Sequence, residues 1–433
     1  MANELPITLE RVKEAVGKFL LLGDDGVVDA IIAAVIANKL DLDAVWLMIV
    51  AGSSSGKSEL LTPLFELPFV IPISDLTVNT FASGYKLGGG KQAGLLAKYQ
   101  NGVMVFKDFT SILSKGHEAR DIILGQMREI YDGKFDKHTG TGDVITWKGK
   151  MGVLAAATVA VYTGLADSTS MGQRFIYYNI KQPDRHGAAQ RAQENAVKGV
   201  EMRAAIADEY KRYITMVMEK IDSGKINYDP PQELVKEMLN IADFACRARS
   251  PVHTDFKSGQ IDDQPDLEMP GRVTKQLLAL AGAFMAMNQS EDMKGRKDEV
   301  ITKHQRRVIY RCAFDSIPSM RRSAMRLLAR YRLGVNTTAA ATYLKLPSDS
   351  VKKYLYQLNA LGICERKAEA GNKGHKWTMT DEEHRRVVCL LEDIKPLDEE
   401  LIKQTDEDGE EISLDPEDEE ARRAALESFD AMP

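Results

Sequence analysis

The run Gly52-Ser53-Ser54-Ser55-Gly56-Lys57-Ser58 has the residue types and the spacing to hold phosphates. Small side chains let successive backbone N–H groups turn inward on an anion, and a following helix adds partial positive charge. Lys57 would reach the β- and γ-phosphates of a nucleoside triphosphate, and the Ser58 hydroxyl would join a Mg²⁺ shell. Glu59 opens the helical pattern that follows. The usual spacing puts a glycine at position 51; this chain has Ala51, a mild change where a small side chain is what matters. Such a site needs a second acidic group at the end of a neighbouring strand. Asp108, directly after the apolar run 103–106, supplies it and is a candidate metal ligand together with Ser58. The cofactors expected are ATP and Mg²⁺.

These groups need a frame that brings a strand end, a loop and a helix start together. Apolar runs of strand type lie at 46–51, 68–73, 103–107, 151–158 and 174–180, and helical stretches alternate with them. That alternation predicts an α/β domain on a mainly parallel sheet. Two amphipathic helices, 8–20 and 25–39, precede the loop strand and are expected to pack beside the nucleotide pocket. Residues 187–290 are helical in pattern, with a polar break around 250–270. The expected division is an N-terminal helical segment over 1–44, an ATPase core over 45–183, a helical lid over 184–334, a second domain over 335–395 and an acidic, disordered tail over 396–433.

The chain has 433 residues, 44% hydrophobic and 28% charged, which is ordinary for a globular protein. No apolar run approaches the roughly 20 residues that span a bilayer, and the N-terminus has no signal-type core. The four cysteines never stand in Cys-x-x-Cys spacing, so a zinc site is not indicated. The expected location is the cytoplasm of a bacterium or a phage-infected host, with no membrane partner. The net charge of −6 hides a segregation. Residues 396–433 hold 15 acidic against 3 basic groups, whereas residues 301–395 hold 19 basic against 9 acidic. A basic module followed by an acidic tail is a pattern of nucleic-acid binding.

Within that basic stretch, 337–344 reads as a helix, Pro347-Ser348-Asp349-Ser350 as a turn, and 350–361 as a second helix stopped by Gly362. Strands 363–367 and 375–379 follow, joined by a Gly-containing loop. Helix, turn, helix and β-hairpin make a winged helix-turn-helix. Its second helix is expected to expose Lys352, Lys353, Tyr356, Gln357 and Asn359 toward a DNA groove, with Lys373, His375 and Lys376 on the hairpin touching the backbone.

Beyond the loop, Gly102-Val103-Met104-Val105-Phe106-Lys107-Asp108-Phe109 resembles the Walker B strand of the AAA+ superfamily. The stretch 124–135, a polar hairpin-like segment over 136–150 and an apolar strand over 151–158 resemble the AAA+ branch with a β-hairpin inserted before sensor 1. That branch includes the minichromosome-maintenance helicases and the enhancer-binding activators. The segments "KDFTSIL", "REIYDGKF" and "MGQRFIYYNI" are similar to P-loop proteins of phages and mobile elements. The resemblance implies that Thr158 stands at sensor 1 and that Arg174 is an arginine finger reaching a neighbouring subunit's γ-phosphate. It implies that Arg272 is the sensor 2 arginine and that the chain forms a ring, a hexamer. An arginine suits the finger because its fork stays charged and binds phosphate oxygens at two points.

One departure stands out. The superfamily carries Asp-Glu where this chain has Lys107-Asp108. Aligned through Gly102, Asp108 takes the catalytic position and a lysine the magnesium side. Read by the apolar run alone, Asp108 is the magnesium-side acid and Phe109 replaces the base. Either way one carboxylate is missing. Lys137, His138, Lys148 and Lys150 flank the Gly-rich tip of the inserted segment and are candidates to grip DNA in a central channel. A second basic loop, 83–92, is a further candidate. The Gly-Ala-Phe-Thr-Gly-Ala element of the enhancer-binding activators is absent from it, which weighs against that version.

The leading expectation is an ATP-driven DNA motor or replication initiator of helicase type. The alternative is a nucleotide-switched DNA-binding regulator or helicase loader without sustained translocation. A scaffold whose loop binds nucleotide only structurally is a third.

Overall fold

The computed structural model describes residues 6–86, 92–138, 144–162, 173–181, 184–253, 261, 264–291, 300–331, 334–368, 375–390, 404–405 and 411–412. Two compact units divide the chain: Met1–Ala242 with Gly271–Ser316, and Asp243–Pro270 with Ile317–Pro433.

The first unit is α/β. Its strands are β1 (Trp46–Val50), β2 (Val70–Ile73), β3 (Ser83–Lys86), β4 (Gln92–Ala93), β5 (Asn101–Phe106), β6 (Lys134–His138), β7 (Val144–Lys148), β8 (Lys150–Ala157) and β9 (Ile176–Asn179). Five of them form one sheet in the order β2-β5-β8-β1-β9. Every pair in it is parallel, with Val50 opposite Ala157 and Asn179, and Phe106 opposite Ala155. A parallel sheet is covered on both faces, so its central strands read as unbroken apolar runs. All five residues of β1 are buried. The core cluster holds Trp46, Met48 and Val50 with Met104, Phe106, Val153 and Phe175. Helix Gly26–Ala37 is buried along its whole length. Asn38 closes the turn into β1 by donating to the carbonyls of Ala34 and Val45 and accepting from Val45 N.

The inserted hairpin forms from β6 and β7, antiparallel, pairing Lys134 with Lys148 and His138 with Val144. Its alternation puts Phe135, Ile145 and Trp147 inward, and Trp147 Nε1 donates to Tyr99 O at 2.9 Å. The β3–β4 pair lies in the segment read only as a basic loop. Helices Arg185–Glu194 and Gly199–Asp222 follow the sheet, and helices Gly271–Ser290 and Lys303–Phe314 complete the unit.

The second unit contains helices Ser319–Arg330, Thr337–Leu344, Ser348–Ala360 and Asp381–Leu390, and a three-stranded antiparallel sheet. The strands β10 (Val335–Asn336), β11 (Cys364–Ala368) and β12 (His375–Met379) stand in the order β10-β12-β11. Asn336 caps its helix by accepting from Ala339 N at 2.7 Å. The next helix begins at Ser348, two residues before the expected start, because Pro347 already sits at its N-cap. Gly362, at φ 69°, ends that helix in the left-handed region that favours glycine. Val351, Leu355 and Leu358 are buried along one face of that helix, and Trp377 and Met379 are buried on β12. Among the described residues no helix is long and apolar enough to cross a membrane.

Candidate functional site

β1 delivers the loop at the carboxyl edge of the sheet, the end where open α/β sheets take ligands. Ser54 at φ 59° and Gly56 at φ 80° are both left-handed, which turns successive amides inward. Gly56 is held close: a Cβ there would come 3.2 Å from Leu20, in the turn after the first helix. Lys57 begins the short helix Lys57–Leu61 and folds its ammonium back into the loop. Its Nζ donates to Ala51 O at 3.0 Å, Gly52 O at 2.5 Å and Ser55 Oγ at 3.3 Å. Burial lowers its pKa, against the opposing charge of Asp108. Ser58 remains exposed.

The strand order fixes what lies beside the loop. β8 runs between β1 and β5, so Thr158, at the end of β8, stands between the loop and Asp108. Asp108 is exposed, and its Oδ1 accepts from Thr110 N at 2.9 Å. Thr158 N donates to Thr110 Oγ1 at 3.5 Å. Phe109 is fully buried, its N–H donating to Ala156 O at 2.7 Å and its ring edge-on to Phe106 and Phe175. It therefore takes no part in the site. Lys107 is exposed, and its Nζ lies 5.1 Å from the centre of the Phe65 ring, on the turn that continues the loop helix.

A divalent cation held against phosphates takes one or two carboxylates and keeps several waters. The end of β5 offers Asp108 alone, with one oxygen committed to Thr110 N and a lysine next in sequence. With the exposed Ser58 hydroxyl this gives one carboxylate and one hydroxyl, a lean donor set that fits a Mg²⁺ held mainly by phosphates and water.

Arg174 and Arg272 are brought to each other and not to Lys57. Arg174 precedes β9, level with the start of β1, so about 15–20 Å of strand separates it from its own chain's loop. It is 8% exposed, pairs with Asp132 at 3.4 Å, and stands 5.7 Å from the Tyr131 ring. Burial lowers its pKa, Asp132 resists, and the charges of Arg272 and Arg128 add to the lowering. Arg272 opens helix Gly271–Ser290 one turn before Gln276. Gln276 accepts from Trp46 N and donates to Arg174 O, both at 2.9 Å. Arg272 thus lies at the amino edge of the sheet, and a sensor 2 role at its own chain's loop does not fit that placement. The helix is anchored to the opposite end of β1 from the loop, which its sequence pattern could not reveal.

Sequence reasoning missed Arg203. Its guanidinium forks onto Glu59 at 2.7 and 2.8 Å and lies 5.2 Å from the Phe19 ring. Glu59 is thereby engaged by helix Gly199–Asp222, and only a contact 144 residues apart in sequence makes this visible. Arg311 was likewise unmarked. It lies 4.2 Å from the Tyr178 ring and donates to Asp24 at 2.7 Å, bracing the 20–26 turn on β9.

The basic candidates divide. Lys150 was expected to face DNA. Its Nζ instead donates to Ala37 O at 3.2 Å and Leu40 O at 2.7 Å, and burial pushes its pKa down to about 8. Lys137 is corrected in the same way: it lies on the inner face of the hairpin and donates to Val78 O, Asn79 Oδ1 and Ala82 O. Both lysines satisfy carbonyls left open by helix and loop ends. His138 and Lys148 are exposed, and Lys134, which the sequence did not single out, is exposed opposite Lys148. Residues 139–143, the hairpin tip, lie outside the described residues, as do 87–91 of the second basic loop.

In the second unit Lys352 and Lys353 are exposed. Gln357 is not: it is 7% exposed and accepts from Arg321 Nε at 3.0 Å, because it flanks the stripe that packs on helix Ser319–Arg330. Asn359 Nδ2 donates to Cys364 O at 2.8 Å. Tyr356 is half-buried, edge-on to Trp377, and its hydroxyl accepts from Arg366 Nη1 at 2.7 Å. His375 and Lys376 are half-buried; Arg366 and Lys367, unmarked by the sequence reading, are exposed. Lys373 lies outside the described residues, and so does most of the acidic tail. No protein-family model matches the chain, and no curated protein matches it.

Proposed function

We propose that the chain is an AAA+-type ATP-binding protein that assembles with its own copies into a ring and acts on DNA. The observation that carries this is the carboxyl edge of the sheet, where Lys57 in its left-handed loop faces Asp108 with Thr158 between them. Strand order supports the AAA+ reading, since the strand bearing the sensor threonine runs between the loop strand and the acidic strand. Arg174 stands too far from its own loop to serve it and is buried against Asp132 and Tyr131, so the ring of subunits in which it would serve a neighbour rests on the AAA+ resemblance. In the second unit, the helix pair, the β11–β12 hairpin and the exposed lysines support a winged helix that reads DNA. The acidic tail and a cytoplasmic setting belong to the same reading.

Two versions differ in what ATP does. In a motor or helicase-type initiator, turnover drives hairpins along DNA. In a nucleotide-switched regulator or loader, occupancy sets assembly and DNA affinity. The single carboxylate at β5 and the tied ammonium groups of Lys137 and Lys150 favour the switch. Exposed Lys134, His138 and Lys148 keep a nucleic-acid-facing hairpin available to the motor. The test sets ATP binding, ATP turnover with and without DNA, and ATP-driven strand displacement side by side. Lys57→Ala abolishes nucleotide binding if the loop is the site, and unchanged binding refutes the assignment. Strand displacement by the wild type selects the motor; DNA-responsive binding or turnover without displacement selects the switch.

A further inference from the structure

The second unit joins a face of unpaired cations to a run of anions in one chain. Helix Ser348–Ala360 shows Lys352 and Lys353 to solvent, and neither has an ion-pair or hydrogen-bond partner among the described residues. The edge strand β11 adds Arg366 and Lys367, both exposed. Lys367 is 3.8 Å from Glu365, a loose surface pair. Helix Asp381–Leu390 fixes where the chain leaves this module. Its Glu383 is buried and accepts from Arg247 Nη2 at 2.5 Å and Arg386 Nη1 at 3.0 Å. His384 Nε2 lies 2.9 Å from Ala329 O. Beyond that root, residues 406–420 carry ten acidic side chains and no basic one. Drawn out, such a segment presents one negative charge per about 5 Å. One strand of duplex DNA presents one per about 3.4 Å.

We infer that segment 406–420 of the same chain docks on the Lys352–Lys353 face and that a duplex must displace it to bind there. The inference rests on the winged helix being a DNA reader and names what regulates that reader. Reach is sufficient. The 16 residues from Leu390 to Asp406 span up to about 50 Å, whereas a module of this size has a radius of gyration of about 10 Å. Each exposed ion pair contributes little by itself. A tethered partner, however, acts at an effective concentration in the millimolar range, and several carboxylates in succession engage the two ammonium groups together. Salt screens such contacts within about 10 Å at 0.1 M, so the docked tail holds the DNA face most firmly at low ionic strength.

Zero-length carbodiimide coupling of the full-length protein, at low salt and without DNA, tests the contact by mass spectrometry. Lys352 and Lys353 are expected to couple to carboxylates of 406–420. The comparison protein is a full-length variant whose acidic residues in 406–411 and 417–420 are amides, Asp418→Asn and Glu419→Gln among them. Those changes keep the length of the tail and remove its charge. Acetylation of Lys352 and Lys353 by a soluble active ester is expected to be at least about threefold slower in the wild type than in the variant, and alike in the two at about 0.5 M salt. Lys225, exposed in the first unit, supplies the reference rate. Duplex affinity is expected to rise about tenfold in the variant at low salt, with the gap closing as salt is added. Equal acetylation at low salt without couplings overturns the inference. Couplings found only between isotopically distinguished copies put a neighbour's tail on this face and overturn it as well. Couplings in a protein that binds no DNA, with or without the amides, overturn the DNA reading instead, and the two failures are thereby told apart.

Discussion

Replacing Arg174 by alanine separates a structural arginine from one that acts on a neighbour. The side chain holds Asp132 at 3.4 Å, a group 54% exposed, and stacks near Tyr131 at 5.7 Å. An ion pair with a half-exposed partner contributes about 0–1 kcal/mol, and a partly desolvated cation–π contact about 1–2 kcal/mol. With some lost packing of the arginine stem, the expected cost to folding is about 1–3 kcal/mol. In a unit of this size each kcal/mol lowers the melting temperature by about 2–4 °C, so the variant should remain folded at room temperature. An arginine that stabilises phosphoryl transfer from a neighbouring subunit is worth about 10³–10⁵ in rate. The two magnitudes do not overlap: a melting curve displaced by a few degrees accompanies a nearly complete loss of turnover. The assay is single-turnover hydrolysis of labelled ATP, with nucleotide affinity measured beside it and expected to be unchanged. Mixing equal amounts of Arg174→Ala and Lys57→Ala subunits creates interfaces with an intact loop on one side and an intact arginine on the other. Random assembly makes roughly a quarter of interfaces of that kind, so up to about a quarter of wild-type activity should return. Two folded variants that recover nothing on mixing would refute the shared site, because Arg174 lies about 15–20 Å along the strands from its own loop.

Lys352→Ala with Lys353→Ala should weaken duplex DNA binding and reduce the salt slope by about two; titrations at several salt concentrations that leave affinity and slope in place would remove these lysines from the DNA face. His304 offers a pH test. Its Nε2 lies 3.3 Å from the buried Asp29 carboxylate, and that hydrogen bond raises its pKa, with Asp25 adding to the rise and burial and Lys13 opposing it. A raised folded-state pKa gives stability that is fully present below the unfolded value of about 6.5 and is lost as pH rises through the folded one. The urea-unfolding gap between wild type and His304→Gln should therefore be under about 1 kcal/mol near pH 5.5 and close toward pH 8.5; a gap that widens with pH contradicts the pairing. Gly152→Ala places a Cβ 2.2 Å from Asn38 Nδ2, which is already bonded to two carbonyls at the entry to β1. Overpacking of that kind should cost about 1–3 kcal/mol or more, read as a lower melting temperature, and an unshifted curve would mean the turn relaxes freely.

Much of this was legible in the chain because it is written in local periodicity. The unbroken apolar runs of β1, β5 and β8 announce strands buried on both faces, and the parallel sheet follows from the helices between them. Gly56-Lys57-Ser58 is equally local, since a left-handed glycine and the start of a helix are properties of neighbouring residues. The helix pair of the second unit is marked by Pro347 and Gly362, each acting within a few residues of itself, whereas the Asn336 cap showed only in the structure. Direction and partnership were not legible. Whether Lys137 and Lys150 reach outward or cap carbonyls depends on loops that approach from as far as 113 residues away. Gln357 reads as exposed until the helix carrying Arg321 packs beside it. Arg272 opens an apolar helix whichever end of the sheet that helix is fixed to, and Gln276 pins it to the amino end of β1. The sequence alone determined which segments become strands, helices and a phosphate-type loop, because those depend on side-chain size and spacing along one stretch of chain. The tertiary structure alone decided which charges meet the loop, which satisfy buried carbonyls and which stay in water, because those depend on segments that become neighbours only when the sheet closes over its core.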